Sequence, residues 1–212
     1  PVNGTVSSVP FVGAVLTGGA SRRMGSDKAL LPIEGGPMAG VVAKALWAAG
    51  AATVVAVGGD GKGLQAAGLD WVPDEVPGEG PLGGVLSALG CLDDVPVVAV
   101  LACDLPAASP ENVAAVVAVA ADHVGVPAVA VPLQVGSEGG HQREWLHAAW
   151  TAESRAVLAA AWEAGERAPR RAGMGLHVVE VEVPEPGALA DADRPEDLLG
   201  DTGSRGRGGP DR

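Results

Sequence analysis

One short segment combines the residue types that phosphate chemistry requires, closely spaced glycines and several cations. It reads Leu16, Thr17, Gly18, Gly19, Ala20, Ser21, Arg22, Arg23, Met24, Gly25, Ser26, Asp27, Lys28. Glycines allow backbone N–H groups to approach phosphate oxygens, while Arg22 or Arg23 and Lys28 can neutralise charge that grows during phosphoryl-type transfer. The segment therefore predicts a triphosphate-binding loop, and a flexible surface turn with solvated charges is the alternative.

A carboxylate follows the clearest apolar run of the chain. Asp104 follows the Val-rich run 96–102 after one residue, within the sequence Ala-Cys-Asp-Leu-Pro. A hard oxygen ligand at a strand end suits Mg²⁺, so Asp104 is a candidate metal ligand facing the first loop. Asp104 could instead cap the next helix, but Ser109 followed by Pro110 fits an N-cap and first helical position better. Cys103 is interpreted as a small buried hydrophobe rather than a nucleophile.

A third segment, residues 74–84, begins with acidic residues and continues with glycines. It predicts either a ligand-binding loop or only a turn before a helix that starts at Pro81. Gly78, Gly80 and Gly83 also match the G-x-G-x-x-G pattern of a dinucleotide-binding oxidoreductase, with an acidic residue at a suitable distance downstream. That alternative is weak, because four residues separate the strand from the glycines and Glu79 would face a pyrophosphate.

Strands alternating with helices must position these residues. Strands are predicted at 12–17, 53–57, 69–73, 96–102, 128–132, 145–150 and, at an exposed edge, 176–183. Helices are predicted at 38–49, 82–89, 110–121 and 151–164. This alternation predicts an α/β fold, a three-layer sandwich whose Rossmann-like, mostly parallel sheet has helices on both faces. Ligands are then expected at the C-terminal ends of the strands.

Composition limits the classes of protein and partner. The 212 residues are 47% hydrophobic and carry a net charge of −12. We expect one domain over 1–199 and a disordered tail over 200–212, where apolar periodicity is lost. The negative charge argues against nucleic acid as a partner. Two cysteines favour a reducing compartment, and an interrupted apolar stretch at 1–10 predicts neither a signal peptide nor a membrane span, so a cytoplasmic location is expected.

The loop from Leu16 to Lys28 resembles the signature of the molybdenum cofactor guanylyltransferase family, within the nucleotidyltransferase superfamily. Cys103 to Pro106 is similar to the family's Cys-Asp-x-Pro segment, and residues 74–84 are similar to its acidic Gly-Pro-Leu-Gly loop. The resemblance implies catalytic roles for Lys28, Arg22 and Asp104, with Mg²⁺ on Asp104. It also implies nucleotide contacts from Leu16, Thr17, Gly18, Gly19, Lys28, Asp74, Gly80 and Asp104.

The implied reaction is transfer of GMP from GTP to the phosphate of molybdopterin, with release of pyrophosphate. Gly18, Gly19 and Leu105 favour the guanylyl branch, whereas Gly58 to Asp60 replace a polar Asn that this branch often has. A cytidylyltransferase, or an enzyme acting on another small-metabolite phosphate, therefore stays open. A non-catalytic nucleotide-binding adaptor is the second alternative, although it would tolerate loss of Lys28 and Asp104. Other cofactor-biosynthesis proteins or a molybdoenzyme are implied partners.

The acceptor side is less defined by the sequence. Gln142 and Arg143 lie where the family has a loosely similar Pro-Gln segment, so they are candidate acceptor contacts. Asp191 and Asp193 resemble the family's closing motif, with capping of the last helix as the alternative for Asp193. None of the four histidines shows metal-ligand spacing, and each is expected to be structural or solvated. They are His123, His141, His147 and His177.

Overall fold

A mixed sheet forms the centre of the protein. The computed structural model describes residues 9–18, 28–90, 95–135 and 140–192. Seven strands form the continuous sheet: β1 (Phe11–Leu16), β4 (Thr53–Val57), β5 (Asp70–Val72), β6 (Val97–Ala102), β7 (Ala128–Val135), β9 (His147–Thr151) and β10 (His177–Val181). Their order is β10-β7-β9-β6-β1-β4-β5. A short strand β8 (His141–Arg143) pairs with β7, and β2 (Pro32–Ile33) forms a separate hairpin with β3 (Gly36–Pro37).

Strand direction divides this sheet into two parts. From β5 through β4 and β1 to β6 all pairs are parallel. Strand β9 is antiparallel to both of its neighbours, β6 and β7, whereas β10 is parallel to β7. The expected mostly parallel sheet is confirmed, and β10 is the predicted edge strand. The start of β9 consequently lies at the edge where the parallel strands end.

Helices cover both faces of the sheet, as predicted. Six α-helices lie within the described residues: α1 (Met38–Ala48), α2 (Gly61–Ala66), α3 (Pro81–Gly90), α4 (Pro110–Ala121), α5 (Ser154–Glu163) and α6 (Pro169–Ala172). Successive residues of β6 alternate between the faces: Val97 belongs to the buried cluster that contains Leu46 and Val116, and Val98 to the one that contains Leu82 and Leu158. The three-layer sandwich is thereby confirmed. None of the described helices has the length and apolar character needed to cross a bilayer.

Local signals in the sequence set the helix ends. Ser109 accepts a hydrogen bond from the Asn112 backbone N–H at 3.2 Å, and Pro110 is the first residue of α4. This cap satisfies an N–H group that the helix itself cannot pair, so Asp104 is not needed for capping. After α1, Gly50 has a φ of 95°, a conformation that glycine adopts without steric cost.

Close packing of α1 on β1 makes Gly13 a sensitive position. A Cβ added there would lie 2.9 Å from both Cβ and Cδ1 of Leu46. Because both elements are buried, we expect Gly13→Ala to lower the free energy of unfolding by about 1–3 kcal/mol. Denaturant unfolding measures this change, and Gly187→Ala is the matched control, since nothing lies within 4 Å of a Cβ at Gly187. Equal stability of the two variants would contradict the prediction.

Candidate active site

The ends of β1 and β6 are adjacent and bring the first two predicted segments together. The backbone N–H of Cys103, the residue after β6, donates to the carbonyl of Leu16, the last residue of β1, at 3.1 Å. Lys28 begins a 3-10 turn that ends at Leu30. Its Nζ lies 3.0 Å from Oδ2 of Asp104, although the residues are 76 positions apart. The geometry confirms that Lys28 and Asp104 lie side by side at the C-terminal edge of the sheet.

Burial strengthens this ion pair while leaving the carboxylate accessible. The Lys28 side chain is 10% exposed and that of Asp104 is 25% exposed. Water screens the pair less than a pair on the open surface, so each charge holds the other in place. An ammonium group held in this way beside an accessible carboxylate can face a phosphate and a divalent cation at the same time.

Whether Asp104 suits a metal ion depends on its second oxygen. Lys28 binds Oδ2, and no hydrogen bond from another described residue reaches Oδ1. Within the described ranges, no group of three or more acidic, His or Cys residues surrounds a metal site. Mg²⁺ commonly binds through one or two carboxylates together with substrate phosphates, so the donor set fits an ion that arrives with its nucleotide.

Two glycines after β4 form a turn packed against the first loop. Gly58 and Gly59 have φ values of 77° and 68°, and a Cβ on Gly58 would lie 3.2 Å from the Gly18 Cα. The Gly58 carbonyl accepts hydrogen bonds from Thr17 Oγ1 at 2.8 Å and from Trp71 Nε1 at 2.7 Å. These bonds hold the turn directly beside Gly18, so side chains are excluded from this contact.

Asp74 lies on the same side of the first loop, after β5. Its Oδ1 accepts hydrogen bonds from the Val76 N–H at 3.1 Å and from the Ser87 hydroxyl at 3.2 Å. Its Oδ2 lies 3.6 Å from the position that a Cβ on Gly18 would occupy. Ser87 is buried and was not singled out in the sequence, because only the fold brings α3 beneath Asp74. The structure thus places Asp74 beside Gly18, and its contact with a nucleotide stays a prediction.

Gly80 lies later in the same loop, beside Arg167. Its φ is 105°, and a Cβ there would lie 3.2 Å from the Arg167 carbonyl oxygen. Arg167 binds Glu79 through Nε at 3.2 Å and stacks 3.9 Å from the centre of the Trp162 ring. These contacts explain the need for glycine at position 80 by packing, and its contact with a nucleotide stays a prediction.

The G-x-G-x-x-G alternative is not supported by this geometry. Strand β5 ends at Val72 and α3 begins only at Pro81, so the strand does not lead directly into a glycine turn and helix. A Cβ on Gly83 would lie 3.1 Å from Val76 and 3.3 Å from Trp162, which shows that this glycine permits side-chain packing.

Two polar residues at the start of β9 or just before it were not predicted as part of the site. His147 is buried at the start of β9, paired with Leu101 of β6, and its Nδ1 has no hydrogen-bond partner in the described part of the chain. Burial lowers the pKa of His147 from 6.5 to about 4, and the Asp104 carboxylate opposes this shift more weakly. Burial also raises the pKa of Glu144, and Asp191 adds to that shift. The available sequence signal was a histidine inside the apolar run 145–150, and nothing in the sequence shows that Asp104 is its neighbour.

The His147 pKa predicts acid sensitivity. Between about pH 6.5 and 4, His147 is protonated in the unfolded chain but neutral in the folded protein. The stability that is present above this range is therefore lost as the pH falls. We expect His147 to account for about 2 kcal/mol of the stability lost between roughly pH 7.5 and 5. Denaturant unfolding at both pH values should show a smaller loss for His147→Gln. The exposed His141→Gln is the control, and an equal loss in all three proteins would contradict the prediction.

Several predicted site residues lie elsewhere or outside the described residues. Gly19 and Arg22 belong to the segment 19–27, which is outside the described residues, as are Asp193 and the tail 200–212. Gln142 and Arg143 lie in the exposed strand β8, where Arg143 pairs with Glu180 at 2.6 Å. The Asp104 carbonyl accepts the Ala192 N–H at 2.9 Å, which brings the segment carrying Asp191 close to the strand end.

Comparison with known proteins agrees with this fold. A family described as the MobA-like NTP transferase domain matches residues 13–181. A probable molybdenum cofactor guanylyltransferase from Opitutus terrae is 43% identical over 99 residues, covering 46% of this chain and 49% of the relative. The molybdenum cofactor guanylyltransferase from Xanthomonas euvesicatoria pv. vesicatoria is 40% identical over 97 residues, covering 46% and 48% respectively. The matches span about half the length of these curated relatives.

Among solved structures, the molybdopterin-guanine dinucleotide biosynthesis protein A from Archaeoglobus fulgidus has the same fold. It superposes with a TM-score of 0.68 at 22% identity, covering 89% of this chain and 95% of that one. The sheet with helices on both faces is that of a three-layer α/β protein. The chain belongs to the MobA-like NTP transferase domain family, which confirms the family expected from the loop of Leu16 to Lys28.

Proposed function

We propose that the protein is a nucleotidyltransferase that moves GMP from GTP to the phosphate of molybdopterin and releases pyrophosphate. The observation that carries the proposal is the Lys28–Asp104 pair of 3.0 Å at the adjoining ends of β1 and β6. Membership of the MobA-like family and relatives named as guanylyltransferases support it. We also propose a cytoplasmic location, which fits the sparse use of cysteine.

The chemistry requires positioning and charge stabilisation. An oxygen of the acceptor phosphate forms a bond to the α-phosphorus of GTP, and the bond between that phosphorus and the bridging oxygen breaks with its electrons leaving on pyrophosphate. The acceptor is a phosphate monoester, already ionised near neutral pH, so no strong general base is needed. Lys28 would stabilise the negative charge that develops on the phosphate oxygens.

Asp104 would hold Mg²⁺, which would neutralise phosphate charge and align the reacting groups when bound. The Lys28 contact orients the carboxylate and leaves Oδ1 for this role. Leu16, Thr17 and Gly18 would contact the nucleotide from the end of β1, together with Gly19 and Arg22 of the adjoining segment. Asp74 and Gly80 would contact it from the loop before α3.

Pyrophosphate release tests the proposal. The protein with Mg²⁺ and molybdopterin should release pyrophosphate from GTP, more slowly from CTP, and not without the metal ion or the acceptor. Faster release from CTP would favour the cytidylyltransferase alternative, and release only with other phosphate acceptors would favour a different small-metabolite enzyme. Tight nucleotide binding without release for any acceptor would contradict the enzymatic proposal and favour an adaptor.

A further inference from the structure

We propose that Asn112 of α4 is a positioning residue for the acceptor, because it fixes the segment that borders the site on the side away from the proposed nucleotide contacts. That segment, residues 183–192, follows β10 and is called the strap. The inference rests on the proposed function. It goes further by assigning the geometry of the acceptor side to a buried amide that touches no substrate.

The side chain of Asn112 makes hydrogen bonds that its own helix does not need. Nδ2 donates to the Glu185 carbonyl at 2.7 Å, and Oδ1 accepts the Glu185 N–H at 2.9 Å. The two residues are 73 positions apart, and Asn112 is 6% exposed. Burying an amide is costly unless its polar atoms are paired, and asparagine has low helix propensity. Because Ser109 already caps α4, the contact with the strap accounts for asparagine at this position.

The far end of the strap reaches the proposed metal ligand, since the Ala192 N–H donates to the Asp104 carbonyl at 2.9 Å. Nucleotide contacts are proposed at β1 and Asp74, on the side of Asp104 where β4 and β5 lie. The strap comes from β10 and packs against β7, on the other side. In an in-line displacement the attacking oxygen and the leaving pyrophosphate lie on opposite sides of the α-phosphorus. The acceptor is therefore expected on the side that the strap forms.

The middle of the strap has less packing support than its ends. A 3-10 turn over Pro186–Leu189 buries Ala188 and Leu189, but a small cavity lies beside these side chains, lined also by residues of α4, among them Asn112. Side chains at a cavity wall lack contact partners on one side, so apolar packing holds the turn less firmly than a filled core would. The position of the strap therefore depends on its hydrogen bonds to Asn112 and Asp104.

Two substitutions at position 112 remove this anchor in different ways. Asn112→Ala removes both hydrogen bonds to Glu185. Asn112→Asp has nearly the same size and keeps an acceptor for the Glu185 N–H, but it places an oxygen against the Glu185 carbonyl. Hydrogen exchange of the Ala192 N–H, followed by NMR, should become roughly tenfold faster in both variants, because this bond opens when the strap moves.

Ser109→Ala is the matched control, since it removes the cap of the same helix, and the Ser109 side chain has no printed bond to the strap. Its Ala192 N–H should exchange at the wild-type rate.

Acceptor affinity is the functional measurement. Equilibrium dialysis of molybdopterin without oxygen measures binding in the absence of turnover when Mg²⁺ and α,β-methylene GTP are present, because a methylene group replaces the oxygen of the bond that breaks. Asn112→Ala and Asn112→Asp should each weaken molybdopterin binding about tenfold and leave the affinity for the GTP analogue within about twofold of the wild type. Ser109→Ala should leave both affinities unchanged.

Unchanged exchange at Ala192 in the folded variants, or faster exchange with unchanged molybdopterin affinity, would overturn the inference. Equal loss of affinity for both ligands, or the same loss in Ser109→Ala, would indicate a general effect of stability and would overturn it as well. Absence of molybdopterin binding by the wild-type protein would overturn it together with the proposed acceptor. If the variants weaken molybdopterin binding but the wild-type protein releases no pyrophosphate from GTP, the inference stands and only the proposed reaction fails.

Discussion

Replacing Asp104 with asparagine is expected to lower kcat/KM for GTP by about a thousandfold. The amide retains the shape of the carboxylate but loses the negative charge that binds Lys28 and would bind Mg²⁺. The remaining activity should need a higher Mg²⁺ concentration. Initial rates of pyrophosphate release over a range of Mg²⁺ concentrations measure both effects.

Asp70→Asn provides the control for this result, because Asp70 is exposed at the start of β5, the opposite end of the strand from the site. Its rate and Mg²⁺ dependence should equal those of the wild-type protein. A folded Asp104→Asn protein with nearly full activity at low Mg²⁺ would contradict the metal role. Thermal unfolding of each variant separates loss of chemistry from loss of structure.

Lys28→Met is expected to lower kcat by roughly a hundred- to a thousandfold, because it removes the cation proposed to stabilise the developing phosphate charge. The apolar chain fills much of the volume of the lysine stem, so packing is largely kept. Single-turnover rates with saturating GTP measure the chemical step apart from binding. Lys62→Met removes an exposed lysine from α2 and should leave the rate unchanged.

The double variant Lys28→Met with Asp104→Asn adds a stricter test. Residues in contact that act as one unit are not additive, so the double variant should be little slower than the slower single variant. A loss equal to the product of the two single losses would mean that the residues act independently. That result would contradict the role of their 3.0 Å contact in the reaction.

Local patterns were sufficient for much of the fold. The buried strands β1 and β6 and the start of α4 at Ser109 and Pro110 have the expected positions. A strand buried on both faces requires a continuous apolar run, and a helix start favours a capping residue such as serine, so both are visible in the sequence. The antiparallel direction of β9 was not predicted, since an apolar run carries no information about direction. Helix α2 was also missed, as two of its six residues, Gly61 and Gly63, have low helix propensity.

The site was predictable where one strand end carries a distinctive residue. Asp74 and Asp104 are of that kind, and Lys28 ends the Gly- and Arg-containing segment after β1. The structure places Lys28 beside Asp104 and Asp74 beside Gly18. Ser87 and His147 have ordinary sequence surroundings. Their proximity to Asp74 and Asp104 arises from pairing of distant segments, which local periodicity does not encode.

The reversed strand β9 has an evolutionary consequence. It separates β1, β4, β5 and β6, which come from the earlier part of the chain, from β7 and β10, which come from the later part. Nucleotide contacts are proposed only in the earlier part, and the segment near Asp191 meets the site from the later part. Insertions or exchanges in the later half of the gene are therefore expected to diversify the acceptor while base choice is inherited unchanged.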